Sequence, residues 1–411
     1  MTTTRLTTTC LLALAACSGE PTGPAPLLDN LPRPLSPAES RLIDAGNAFT
    51  FSLFREATRA LPPDSNAFLS PLSASMALGM AMNGANGETF EAMRATLGFG
   101  TASMAEINAG YRDLIALLTT LDPATSVTVA NSIWSDAGFP ILPSFVQAAK
   151  AWFEAEARSV PFADPATPGV INAWVSDRTR GRIPKLLNGI SPEEVAFLIN
   201  AIHFKGKWRD AFDPSRTRPL PFRGADGTTR SVAMMSRDPG PLLYRAGGGF
   251  EAVDLRYGNG AFSMTVLLPV PGSTPSAVLA GLDAATWREL TTGLREEQLG
   301  LVLPRFRFDH TRTLTEDLTA LGMGIAFDPG RADFYGIADV RPERLFLTRV
   351  LQKTFIDVNE EGTEAAAATA VGVGVTSVPA TFMVDRPFLF LIRERLSGTV
   401  LFIGQVNVLG G

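Results

Sequence analysis

Cysteine is nearly absent: Cys10 and Cys17 are the only two in 411 residues. Both sit at the extreme N-terminus, so an export signal removed before Cys17 takes Cys10 with it. No disulfide can then form within the mature chain. Histidine is as scarce, with His203 and His310 alone. His203 lies in an apolar run, Phe197-Leu198-Ile199-Asn200-Ala201-Ile202-His203-Phe204, where a core position is expected. No Gly-x-Ser-x-Gly elbow, His-Glu-x-x-His or Cys-x-x-Cys occurs, which removes the common signatures of nucleophilic, zinc and dithiol chemistry. Glu360, Glu361 and Glu364 form a carboxylate cluster, but they share one short stretch and cannot oppose each other across a substrate. Cations are not in excess: a net charge of -5 gives no reason to expect nucleic acid as a partner. Past the N-terminus no apolar run is long enough to span a bilayer. The expectation is a chain that is not an enzyme and needs no cofactor.

What is present points to a globular body. Hydrophobic residues make up 45% and charged residues 19%, enough for a sizeable core. Length alone argues for two or three domains, yet nothing resembling a linker appears after the N-terminal tail. Arg5 is the only charge before Leu11-Leu12-Ala13-Leu14-Ala15-Ala16, the pattern of a secretory signal. Leu14-Ala15-Ala16-Cys17 also resembles the bacterial lipobox, which makes Cys17 a lipidated first mature residue. The expected division is a signal peptide over 1–16, a flexible tether over 17–36, rich in Pro, Gly and Ser, and one domain over 37–411. The expected place is the bacterial cell envelope, on its periplasmic or extracellular face, with the membrane as a partner through the lipid.

Ser36-Pro37-Ala38-Glu39 reads as a capping box with Pro at the first helical position, followed at helical spacing by Leu42, Ala45, Phe49 and Leu53. A helix is expected over 144–156. The stretch from Glu360 through Gly362 and Thr363 to Ser377 has another period. Thr363, Ala365, Ala367, Thr369, Val371, Val373 and Val375 share one face, and Glu364, Ala366, Ala368, Ala370, Gly372 and Gly374 the other. No side chain in it is large, so it can serve as loop in one state and strand in another. Its flanks are strand-like: Leu345 to Leu351 and Thr354 to Asn359 before it, Thr381 to Val384, Phe388 to Ile392 and Val400 to Val406 after it.

Phe355-Ile356-Asp357-Val358-Asn359-Glu360-Glu361-Gly362-Thr363-Glu364-Ala365-Ala366-Ala367 resembles the hinge signature of the serpins, and Asp385-Arg386-Pro387-Phe388-Leu389-Phe390 the motif after their reactive loop. Asn66 to Ser73, Phe197 to Trp208, Phe262 to Pro269 and Leu303 to Phe308 continue the likeness to the C-terminus. The resemblance implies an α+β serpin fold: three β-sheets, about eight to nine helices and an exposed reactive-centre loop over about 360–380. Loop insertion is that family's established switch, not a deduction from these residues. It implies a hinge of Glu360, Glu361, Gly362, Thr363, Glu364, Ala365, Ala366, Ala367 and Ala368. It places Ser70, Ser73 and Asn200 in the shutter, where two central strands part, and Trp208 at the breach, where the loop first enters. Gln352 stands where the family's shutter usually carries His. An amide can still donate and accept hydrogen bonds, but it cannot be charged, so no pH-sensing role carries over.

In inhibitory serpins the reactive bond follows the fourteenth position, counting the hinge threonine as the first; the resemblance thus places it after Thr376. Counting back from Pro387 with the family's spacing implies the same bond, between Thr376 and Ser377. Such a bond suits elastase-like or subtilisin-like serine proteases with a small or medium apolar pocket. The expected molecule is a monomeric, lipid-anchored inhibitor. Arg178, Arg180, Arg182 and Lys185 read as a solvated helix end before they read as a polyanion site. The rivals are a non-inhibitory serpin acting as a binding module and an unrelated hydrolase.

Overall fold

The computed structural model describes residues 26–363 and 380–410. The first helix, Pro37–Thr58, starts at the expected capping box: the Ser36 hydroxyl accepts from the Glu39 amide, and the Glu39 carboxylate accepts from the Ser36 amide. A second helix, Pro71–Met82, is apolar all round, and eleven of its twelve residues are buried. A helix with no polar face belongs inside a protein, and this one runs through the core behind a six-stranded sheet. Nine α-helices occur among the described residues.

The six-stranded front sheet has the order Phe306–Thr313, Leu351–Asn359, Gly362–Thr363, Ala196–Lys207, Thr125–Asp136, Glu156–Val160. Behind it lies a nine-stranded sheet whose strands Phe262–Pro269, Phe388–Glu394 and Val400–Val406 are buried at every position. Their mostly apolar sequences are what a strand covered on both faces needs. Phe68, Phe306 and Phe390 join the two layers in one aromatic cluster, with centroids 5.3–5.5 Å apart.

The expected third sheet is hydrogen-bonded to the second. The long strand Thr229–Gly247 pairs at its start with Arg218–Arg223, at its end with Phe250–Arg256, and along most of its length with Arg295–Pro304. A bulge between Arg237 and Gly240 marks the seam, as a bulge bends a strand and raises its twist.

Three readings need correction. The helix expected over 144–156 is Pro143–Phe153, ended by Glu154 in the left-handed conformation at φ 53°. The strand expected from Leu345 begins only at Leu351. Residues 345–350 have other partners: Leu347 N donates to Ala326 O at 2.9 Å, and Val350 O accepts from Leu314 N at 2.7 Å. The tether does not reach residue 36. Leu28, Leu31 and Leu35 pack on the core, Leu28 N donates to Asn259 O at 2.8 Å, and Arg395 donates to Leu28 O at 2.6 Å. Arg33 grips Glu39 with both guanidinium nitrogens at 2.7 Å. Burial alone would raise the Glu39 carboxyl; the Arg33 and Ser36 hydrogen bonds outweigh it and hold it below the usual carboxylate range. The apolar leucines, spaced between prolines, explain why this segment lies down on the domain.

Candidate functional site: a half-formed strand above a slot

Gly362–Thr363 is a strand of two residues held on both sides. Val358 faces Thr363 and Asn359 faces Gly362 on one side; Gly206 faces Thr363 and Lys207 faces Gly362 on the other. Both pairings are antiparallel, so the flanking strands Leu351–Asn359 and Ala196–Lys207 run parallel to each other. Below Thr363, among the described residues, no ladder joins them. The gap holds a cavity of about 130 Å³, lined by Ser70, Ser73, Ile199, Ala201, Val350 and Gln352 among others. A smaller one of about 20 Å³ lies under Thr363, walled by Phe68, Ile202, Phe204, Ile356 and Phe402. Unpaired strand edges facing each other across a gap are a template for another strand.

The top of the slot is tightly built. A Cβ on Gly362 would sit 2.0 Å from Gly206 O, and its φ is +154°, so only glycine lets the chain turn in here. Trp208 is buried; its indole donates to Asn359 O at 2.9 Å and its amide to Glu361 O at 2.7 Å. Glu360 is buried and fixed: its carboxylate accepts from Thr217 Oγ1 at 2.6 Å, and its carbonyl accepts from Phe212 N at 2.8 Å. The hinge therefore has a fixed end at Glu360 and runs into the sheet at Gly362 and Thr363. Glu364, Ala365, Ala366, Ala367, Ala368, Thr376 and Ser377 lie outside the described residues, as does Cys17.

The bottom of the slot gathers the remaining candidates. Ser70 caps the buried helix by accepting from Ser73 N at 3.3 Å, and its hydroxyl donates to Leu401 O at 2.8 Å. Gln352 reaches it from one flanking strand: Gln352 Oε1 accepts from Ser70 N at 2.9 Å and Gln352 Nε2 donates to Ser70 O at 2.8 Å. Ser73 reaches the other, donating to Asn200 O at 3.2 Å. Asn200 in turn donates to Asn131 Oδ1 at 2.6 Å. Ser70, Ser73, Asn200 and Gln352 thus meet where the helix start bridges both edges of the slot, and Gln352 replaces a histidine with a reciprocal amide pair. Gln352→Leu strands the Ser70 amide in the core, at about 1–3 kcal/mol, and takes one of two bonds from Ser70 O, which still accepts from Ala74 N at 3.1 Å. We expect a loss of about 2–4 kcal/mol, read as a lower urea midpoint, with most of it regained by Gln352→His. A midpoint unmoved by Gln352→Leu would mean that the pair holds nothing.

Sequence reasoning missed Asn131, Thr354, Gly206 and Tyr257. Asn131 had a signal, a polar residue in a run that includes Ile133 and Trp134; it faces Asn200 in register. Thr354 donates to Phe68 O at 2.5 Å, and nothing local announces that. The cationic helix end is engaged: Arg178 pairs with Glu156, Arg180 donates to Ser126 Oγ at 2.9 Å, and Arg182 lies over the Phe355 ring at 5.1 Å. His203 is buried, as expected. Among the described residues no cluster of His, Cys, Asp and Glu could hold a metal ion.

Among the described residues, the front sheet carries a two-residue strand above a gap between two parallel strands. The chain belongs to the serpin family, whose model, described as serpin (serine protease inhibitor), matches residues 44–409. It is 33% identical to an uncharacterised serpin-like protein of Thermococcus kodakarensis, over 90% of this chain and 86% of that one. It is 34% identical to the leukocyte elastase inhibitor of Bos taurus, over 89% of this chain and 99% of that one. The native state of the thermophilic serpin tengpin superposes with a TM-score of 0.82 at 28% identity, covering 94% of this chain and 97% of that one. Serpins of this kind are protease inhibitors, not enzymes, and their targets are serine proteases.

Proposed function

We propose that this chain inhibits serine proteases by the loop-insertion route of its family. The target's nucleophile attacks the carbonyl of Thr376 and forms an acyl-enzyme. The freed segment from Thr363 to Val375 then enters the slot as a strand of about 40 Å, at ~3.3 Å per residue. The protease is dragged with it, and an oxyanion hole pulled out of shape no longer promotes deacylation. The observation that carries this reading is Gly362–Thr363, paired on both sides above two strands that no ladder joins below it among the described residues. It favours an inhibitor over a purely binding serpin, because a strand already begun needs only to be extended.

Thr376, with Val375 before it, supports an elastase-like or subtilisin-like target. Incubation with such a protease followed by denaturing electrophoresis is the test. A covalent band is expected; a clipped chain without one would favour the non-inhibitory reading. Val371-Gly372-Val373-Gly374-Val375 offers competing bonds, since Val and Thr differ in an apolar pocket by roughly 1–3 kcal/mol at most. We expect released fragments that begin at Ser377, with minor ones from cuts after Val375 and Val373. Each residue lost shortens the drag by about 3.3 Å, so early cuts raise the number of inhibitors consumed per protease trapped. A dominant cut outside 371–378 would overturn the register. The N-terminal pattern supports export and lipidation at Cys17, with the inhibitor displayed on the cell envelope; Cys17→Ser should release it from the membrane fraction.

A further inference from the structure

Tyr257 is buried without exposed surface and lies outside every motif that marked the hinge. Its backbone is riveted to the end of the central strand: it forms a bridge with Trp208, its amide donates to Phe262 O at 2.9 Å, and Gly258 N donates to Lys207 O at 2.9 Å. Its ring stacks on Trp208 at 4.4 Å and 13°, and stands edge-on to Phe204 at 4.9 Å. Gly206 makes the room, because a Cβ there would lie 2.8 Å from the ring. The phenol ends 2.8 Å from Thr363 Oγ1. Among the described residues each of these hydroxyls has the other as its hydrogen-bond partner, and both side chains are buried. Burial drives the phenol far above its ordinary range, so it stays protonated and the link does not depend on pH. The turn is backed from outside: Asn259 O accepts from Leu28 N at 2.8 Å, and Arg395 donates to Gly260 O at 2.8 Å.

We infer that Tyr257 is a positioning residue for the hinge, a pin from the rear sheet that seats Thr363 in its register before the loop is cut. The hydroxyl of Thr363 is what it reads. Valine would keep the shape and leave the phenol unpaired, whereas threonine satisfies both groups. Thr363 already has its two strand partners, so the contact survives insertion, and the strand extends downward from a fixed first residue. The inference rests on the loop-insertion reading for its effect on trapping, but not for its effect on the resting chain.

The test uses Tyr257→Phe, Thr363→Val and the double variant in the full chain, with two readouts. Amide exchange at Gly362 and Thr363 should rise about tenfold in each single variant, the order expected for one buried hydrogen bond lost and its partner left unpaired. The double variant should not multiply the two effects, because both remove the same bond. Inhibitor consumed per elastase-like protease trapped should rise in step, while exchange in the Phe388–Glu394 strand stays unchanged. If Tyr257→Phe does not fold, Thr363→Val carries the same expectation. Unchanged exchange at residues 362 and 363, or effects that multiply, would overturn the inference. If the wild-type chain traps no protease yet the variants loosen the hinge, the inhibitor reading falls and the pin stands.

Discussion

A single cut between residues 364 and 379 should raise the thermal midpoint by about 12–25 °C. The two ends of that segment are fixed in different layers. Thr363 is paired in the front sheet; Ala380 O accepts from Gly300 N at 3.0 Å, and Thr381–Met383 continues as a parallel partner of Arg295–Pro304 in the rear sheet. On the loop-insertion reading, an uncut segment with its far end held there does not fill the slot, and the fold is expected to persist as a kinetically trapped state. Cutting frees one end. A strand antiparallel to both neighbours can then complete ladders on two edges, on the order of 20 backbone bonds at a net ~0.5–1 kcal/mol each. That is on the order of 10–20 kcal/mol before any cavity is filled, and roughly 1.2 °C per kcal/mol for a chain of this size gives about 12–25 °C. Calorimetry of the cut and uncut protein decides it. Coincident melting curves after clean cleavage would sink the metastability argument.

What could be read from residues alone was local or repeated. The Ser36 cap with the helical spacing of Leu42, Ala45, Phe49 and Leu53, and the period-two face that begins at Thr363, are short-range patterns, and short-range physics sets them. The shutter residues were legible through resemblance, and the structure adds the contacts: Ser70 to Gln352 on one edge, Ser73 to Asn200 on the other. What was not legible is long-range. Tyr257 and Thr363 are separated by 106 positions, and no spacing rule connects a residue in a turn of one sheet to a strand of another. The same holds for residues 345–350, whose strand-like composition is overridden because their backbone partners lie in the segment after Leu314. Leu28, Leu31 and Leu35 were read as tether through the prolines around them, and burial decided otherwise.

Thr363→Arg should convert the inhibitor into a substrate. Thr363 is 3% exposed, and its neighbours on both strands leave its side chain facing the rear layer. The space beneath is about 20 Å³ with walls of Phe68, Ile202, Phe204, Ile356 and Phe402. Among the described residues no acid lines it, so a guanidinium there has no partner among them, and an unpaired buried charge costs several kcal/mol. The variant avoids that cost by withdrawing Gly362 and Thr363 from the sheet, which also breaks the bond to Tyr257. Insertion must then begin from a strand no longer started. Each ~1.4 kcal/mol added to that barrier slows it tenfold, so several kcal/mol slows it at least a hundredfold. Hydrolysis of the acyl bond is a property of the protease and keeps its rate. The competition therefore shifts from trapping to turnover: we expect the covalent band to fall below a tenth of wild type while cleavage after Thr376 continues. Thr363→Ser keeps the hydroxyl for Tyr257 and adds no charge, so it should trap nearly as well as the parent. Equal covalent complex from Thr363→Arg and wild type would show that the strand does not start at this residue.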